Sequence, residues 1–172
     1  MPAPNLDLGP CVVIFDPAGV NLQYEKTKNE VFFRYEELSV PIKEDQKGET
    51  QIDRVTTGAN CELEVNLTRE EVRGLASLFA NAAYGANYLK VSNPVGEALF
   101  VQAKEVIVKP IINGVVSVTT SEWLHIHRAF PRTNLEYAYG NTTQRTTKAI
   151  FDAFPDDASG QQNEIWRLGP AA

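Results

Sequence analysis

Val31-Phe32-Phe33-Arg34-Tyr35-Glu36-Glu37-Leu38-Ser39-Val40-Pro41-Ile42 and, further on, Cys61-Glu62-Leu63-Glu64-Val65-Asn66-Leu67 decide how this chain folds. In the first stretch Val31, Phe33 and Tyr35 alternate with more polar neighbours, and Leu38, Val40 and Ile42 then alternate in the opposite phase. A strand has a side-chain period of two, so a phase change near Glu36-Glu37 predicts a bulge or bend in one long strand. In the second stretch Cys61, Leu63, Val65 and Leu67 alternate with Glu62, Glu64 and Asn66, which predicts a strand with one buried face and one acidic, wet face.

Strand patterns continue on either side. Cys11-Val12-Val13-Ile14-Phe15 is a short apolar run. Ala98–Val108 reads as a long extended run that Pro110 closes, and Asn113-Gly114 then marks a turn into Val115-Val116-Ser117-Val118. Glu122–Phe130 is extended and stopped by Pro131, Leu135–Tyr139 is short and β-prone, and Lys148–Phe154 reads as a final strand. One helix interrupts the series. Thr68-Arg69-Glu70-Glu71 forms a capping box, and Val72, Leu75, Ala76, Phe79, Ala82 and Ala83 fall on one face, so a helix is expected over about residues 69–82. The expected fold is mainly β: an antiparallel β-sandwich or open barrel with one flanking α-helix. The 172 residues are read as a single domain, 1–172, whose polar tail begins at about residue 155.

Bulk composition excludes several classes of function. Charged residues make up 22% and hydrophobic residues 43%, ordinary for a globular chain, and no run approaches the length that spans a bilayer. The first residues, Met1-Pro2-Ala3-Pro4-Asn5-Leu6-Asp7, lack the basic and apolar regions of a secretory signal, so a cytoplasmic setting without a membrane is expected. A net charge of −6 argues against a phosphate-binding surface, although like-charged walls suit a conduit that lets nucleic acid pass without sticking. Cys11 and Cys61 have no metal-ligand spacing and read as small buried hydrophobes.

Catalytic motifs are not found. His125 and His127 share one strand face, but no third ligand completes a metal site, and they read as surface or interface groups. Asp156-Asp157 reads as a solvated turn, since sequence neighbours cannot face each other across a substrate. There is no nucleophile elbow, phosphate-binding lysine loop or dinucleotide fingerprint, so a non-enzymatic, cofactor-free protein is expected, with no catalytic, cofactor or metal residues. Trp123 with Tyr137 and Tyr139 can be read as core, interface or ligand-binding aromatics.

Between the two deciding stretches lies a polar loop, Glu44-Asp45-Gln46-Lys47-Gly48-Glu49-Thr50, followed by Ile52 and Val55, each able to seat against something apolar. Such a loop is suited to reaching a neighbour. Gly9-Pro10 before an apolar strand, the Asp45-Gln46-x-Gly48-x-Thr50 loop, Thr57-Gly58, the strand ending Val65-Asn66-Leu67 and the capped Thr68 helix come in the order seen in the major tail tube proteins of tailed bacteriophages. The first half of the chain resembles that family, and the resemblance weakens after Leu89. It implies a virion structural protein whose inner strands join neighbours in a hexameric ring, with rings stacking into the tail tube that conducts DNA during ejection. It further implies Glu44–Thr50, Ile52 and Val55 as inter-subunit contacts, with Glu62 and Glu64 as candidate lumen-facing acids. The implied partners are other copies of itself and tail proteins such as a sheath, terminator or baseplate initiator. DNA would pass without specific binding, and the assembled protein would reside in the virion tail after assembly in the host cytoplasm. Two alternatives stand beside this one: a tail terminator or head–tail joining ring, and a monomeric β-sandwich module binding carbohydrate or peptide through Trp123, Tyr137 and Tyr139.

Overall fold

A computed structural model describes residues 10–19, 21–24, 30–43, 50–67, 72–93, 95–136, 146–157 and 163–170. The expected β class is what the chain adopts. Strands β1 (Cys11–Phe15), β2 (Leu22–Tyr24), β3 (Phe32–Lys43) and β4 (Gln51–Leu67) come first, followed by helix α1 (Val72–Ala76) and a small hairpin, β5 (Ala82–Gly85) with β6 (Tyr88–Val91). A one-turn helix α2 (Leu99–Gln102) leads into β7 (Lys104–Ile112), β8 (Val115–Val116), β9 (Leu124–Glu136), β10 (Thr146–Phe154) and β11 (Trp166–Leu168). The main sheet is antiparallel in the order β2-β1-β7-β9-β10-β4-β3, with β8 added to β7 and β11 added to β9.

The sheet curls onto itself. Val13 and Phe15 near one end of the strand order share a core with Leu63 and Val65 near the other, and Val106, Val108, Leu124, Ile126, Ala149 and Phe151 fill the space between. The rings of Phe15 and Phe151 lie 5.6 Å apart. Strands so far apart in order can share one core only if the sheet bends round it, as in an open barrel. Alternation makes this possible: each core residue of β4 is flanked by one that faces away, so a single strand supplies both the filling and the outer wall.

The helix is shorter than its sequence pattern predicts. The described helix ends at Ala76, and Ala82 and Ala83 belong to β5. Gly74 weakens the helix interior, and the Ser77 hydroxyl donates back to the Gly74 carbonyl at 2.7 Å. Leu78 and Phe79 then bond three residues back, to Leu75 and Ala76, which tightens the chain into a turn. Leu75, Leu78 and Phe79 still reach the core, so the apolar stripe serves its purpose without a long helix. The proposed cap, Thr68 to Glu71, lies outside the described residues.

Neither proline ends its strand. Leu99–Gln102 is helical, and β7 then runs from Lys104 through Pro110 to Ile112. Pro110 pairs with Cys11 at the last rung of the β1 ladder and lies just past the β8 rungs, where its carbonyl accepts from the Ser117 N–H at 2.8 Å, so only one donor is forgone. At Pro131 the β7 ladder has already stopped, its last β9 partner being Ala129, so one flank of β9 has no bonding to interrupt. The Asn113-Gly114 turn is as expected, both residues having positive φ (53° and 78°), which the mirror-image hairpin turn requires. The tail also does more than lie over a surface. Its β11 joins the sheet beside β9, pairing Trp166 with Ile126 and Leu168 with Leu124.

Candidate assembly surfaces

β10 pairs with β4 only over Glu62–Leu67. Below that level β3 and β4 continue as a two-stranded ribbon, Glu36–Lys43 against Gln51–Asn60, here termed the arm. At about 3.3 Å per residue its eight-residue β3 side extends roughly 25 Å. The register shifts between Leu38 and Ser39, where Thr57 of β4 is the extra residue, and again between Ile42 and Lys43. The predicted bend therefore exists, displaced slightly from Glu36-Glu37 and accommodated in the partner strand.

The phase change has a clear consequence. Phe33 points into the core side of the sheet, whereas Leu38, Val40 and Ile42 lie on the opposite face of the arm, with Val55 paired directly across from Val40. These side chains are exposed, Val40 at 55% and Val55 at 49%, and Ile52, at the second register shift, is exposed as well. An isolated two-stranded ribbon is marginal in water, and one that shows an apolar row lacks a covering surface. Of the residues implied as contacts, Ile52 and Val55 lie on this arm and Thr50 just precedes it, exposed, while Glu44, Asp45, Gln46, Lys47, Gly48 and Glu49 fall outside the described residues. Leu38, Val40 and Ile42 were legible as an out-of-phase row, and that phase was the signal that they lie on the face opposite Phe33.

Glu62 and Glu64 lie together on the outer face of the sheet, but not as bare acids. Arg34 Nη1 lies 2.9 Å from Glu62 and 3.1 Å from Glu64, Lys148 Nζ lies 2.6 Å from Glu64, and Arg132 lies 3.7 Å from Glu62 and 3.2 Å from Asp152. Three cations and three anions thus form a balanced ladder across β3, β4, β9 and β10. Lys148, with Arg34, holds the Glu64 carboxyl below the usual carboxylate range. The acids of the expected acidic, wet face are therefore matched by cations, and Glu64 itself is buried. The basic partners come from strands remote in sequence, so alternation within β4 alone could not reveal them. A cleft of about 450 Å³ beside the ladder is lined by Arg34, Glu36, Asn60, Glu62, Arg132 and Asp152.

The C-terminal strand is tied down by a second cluster. Arg167 grips both oxygens of Glu164 at 2.6 Å, His127 Nε2 lies 3.1 Å from Glu164, His125 Nδ1 lies 2.9 Å from Glu105, and Arg128 lies 3.2 Å from Asp156. The histidines are thus enclosed pairing groups and not surface ones, and buried Asp156 is no solvated turn. Each histidine meets a different carboxylate, and among the described residues no cluster has the composition of a metal site. Trp166 packs edge-on against Phe33 at 5.2 Å and Tyr35 at 5.7 Å, which fixes the base of the arm to the tail strand. Arg167, helped by His127, holds Glu164 down at about 2. Because this lies below the ordinary value of 4.5, the cluster contributes stability that is present above about pH 4.5 and is lost as pH falls toward 2. Glu164→Gln is therefore expected to lower the melting temperature at pH 6 and to flatten its decline between pH 4.5 and 2. Melting curves across that range check it, and parallel pH slopes would remove this role.

Trp123 donates its indole N–H to the Ser117 carbonyl at 3.0 Å and carries Lys109 over its ring at 3.6 Å, while Tyr137 and Tyr139 lie outside the described residues. Cys11 and Cys61 are buried free thiols, pushed up to about 11 and about 12 by desolvation, which suits packing and not reactivity. No described helix is long and apolar enough to cross a membrane. No family model and no curated protein matches the chain.

Proposed function

We propose that this protein is a non-enzymatic assembly subunit of the phage tail tube type, closing into rings that stack into a conduit. The observation that carries the reading is the arm: a ribbon beyond the sheet, with Leu38, Val40, Ile42 and Val55 showing an apolar row to solvent. A chain that keeps such a ribbon gains by covering it with another copy, and repeated head-to-tail contact yields rings or filaments. The outer face suits the wall of a conduit. Its matched ladder offers no net positive charge, so a passing polyanion would release few counterions and bind weakly. This wall works by neutrality more than by repulsion. In this reading the subunits assemble in the host cytoplasm and reside in the virion tail, meeting sheath, terminator or initiator proteins at the ends or outside of the tube.

Negative-stain electron microscopy of the concentrated protein, with light scattering for mass, is expected to show hollow rings or tubes of uniform width. Deleting Glu44 to Thr50 is expected to leave a folded subunit that no longer builds long tubes. Protein that stays monomeric at every concentration, even with tail initiator proteins added, would overturn the reading.

A further inference from the structure

The exposed apolar residues include two groups that lie far apart, besides others such as Val95, Val101, Val115 and Val118. One group, Leu38, Val40, Ile42 and Val55, lies on the arm at the Gln51 end of β4. A second, Tyr84, Tyr88 and Val91, lies on the β5–β6 hairpin that follows α1, beyond the Leu67 end of β4. The segment carrying this second group is anchored at that end: Tyr24 contacts Gly74 and Ser77, and the Thr133 hydroxyl donates to the Leu78 carbonyl at 2.6 Å. Thr133 pairs with Ala149, and Ala149 with Val65, so the anchor sits near the top of β4. Roughly 45 Å of extended chain separates Val65 from Gln51 at the arm. The outer face between the two ends is occupied by the matched ion-pair ladder.

Charge divides the same way. The described residues of the arm, 36–43 and 50–60, hold Glu36, Glu37 and Asp53 against Lys43 and Arg54, a net −1. Residues 72–93 hold Arg73 and Lys90 and no acid, a net +2 in a protein of net −6. Both cations are exposed. Tyr84 and Tyr88 are the amphipathic aromatics favoured at protein contacts. The Tyr88 ring lies close over Gly85, where an added Cβ would come 2.5 Å from it, so glycine leaves room for the ring there.

From this opposition we infer that the acceptor for the arm is the α1–β5–β6 segment of the next copy, so that subunits stack head to tail along the strand axis. The inference rests on the self-assembly reading and adds to it the receiving surface and the polarity. An apolar row framed by negative charge meets tyrosines and a valine framed by positive charge. In a head-to-tail arrangement the contact joins two unlike surfaces, so each stacked copy leaves one arm and one acceptor for the next.

The test mixes two blocked variants. Val40→Asp/Val55→Asp spoils the arm and keeps the acceptor; Arg73→Glu/Lys90→Glu reverses the acceptor and keeps the arm. All four side chains are exposed, and unchanged melting curves check that both variants fold. Each variant alone is expected to need at least about 100-fold more subunit to stack. An equimolar mixture is expected to form discrete two-layer particles, one surviving arm in one surviving acceptor, that do not lengthen. Tyr84→Asp, an independent acceptor variant, is expected to behave like the charge reversal. Long tubes from either acceptor variant, or a mixture no larger than its components, would overturn the acceptor assignment while wild-type tubes left the assembly reading intact. Wild-type protein that never assembles would instead remove the assembly reading, and the acceptor with it.

Discussion

Val40→Asp/Val55→Asp is expected to leave a folded subunit that makes no long tubes. The two valines face each other across the arm, beyond the last β10 partner of β4, and both are about half exposed. Carboxylates there stay in water, so the change in subunit stability should remain within about 1 kcal/mol, the spread of strand preferences on an open surface. Their effect falls on the contact. Burying each valine against a neighbour is worth about 1.5 kcal/mol, so losing both weakens each contact by about 3 kcal/mol. That is roughly a hundredfold in association, before the cost of bringing two carboxylates to a contact is counted. Repeated at every contact, the loss eliminates tubes at ordinary concentrations. Sedimentation with electron microscopy reads assembly, and melting curves read the fold. Tubes of normal length from this variant would remove the arm from the assembly mechanism. A variant that assembles poorly because it melts early would instead move the valines into the folding argument.

Phe151→Ala should do the reverse, damaging the fold first. Phe151 is fully buried in the middle of β10, paired with Leu63 on one side and Pro131 on the other, with Phe15 across the core at 5.6 Å. It is one of the groups through which strands distant in order touch, and truncation leaves a hole where the curled sheet closes on itself. The cost is about 3–5 kcal/mol. Since native stabilities are typically about 5–15 kcal/mol, that is a large part of the whole. The melting temperature should fall by roughly 6–20 °C for a chain of this size. Phe151→Leu, which keeps most of the volume, should lose much less. Calorimetry decides the matter, and a melting temperature within a degree or two of wild type for the alanine variant would show that this position is not central to the core.

These two outcomes separate residues that make the fold from residues that use it. Glu164→Gln belongs to the first group, acting on the tail strand that runs from the centre of the sheet to the base of the arm. Trp166 couples the groups, because its ring meets Phe33 and Tyr35 where the arm leaves the sheet.

Much of the fold was legible in the chain alone. Period-two alternation placed the Cys61–Leu67 half of β4, an apolar run placed β1, and turn chemistry placed the hairpin at Asn113-Gly114, because each depends only on neighbouring residues. The phase switch from Tyr35 to Leu38 marked the bulge for the same reason, though not that the strand beyond it stands in solvent. The Gln51–Asn60 half of β4 was hidden by its polar composition. Prolines were less informative, since whether a missing N–H ends a strand depends on whether a neighbour stands opposite. Pro110 and Pro131 both sit where a ladder has run out, and that is a property of the assembled sheet. The helix likewise had a clear apolar stripe, yet Gly74, the Ser77 hydroxyl and the demand of the core for Leu78 ended it early.

What the sequence determined by itself is therefore the mainly β class, the buried cysteines, and the out-of-phase apolar row at Leu38, Val40 and Ile42. Each depends on neighbours within a few residues. Tertiary structure alone decided that Glu62 and Glu64 stand in a neutral ladder, that His125 and His127 meet separate carboxylates, and that the tail becomes a strand. It also decided that the apolar arm and the basic, tyrosine-bearing hairpin lie at opposite ends of β4. Each of these pairs residues far apart in the chain, and Coulombic and packing contacts act over a few ångströms of space whatever the sequence separation.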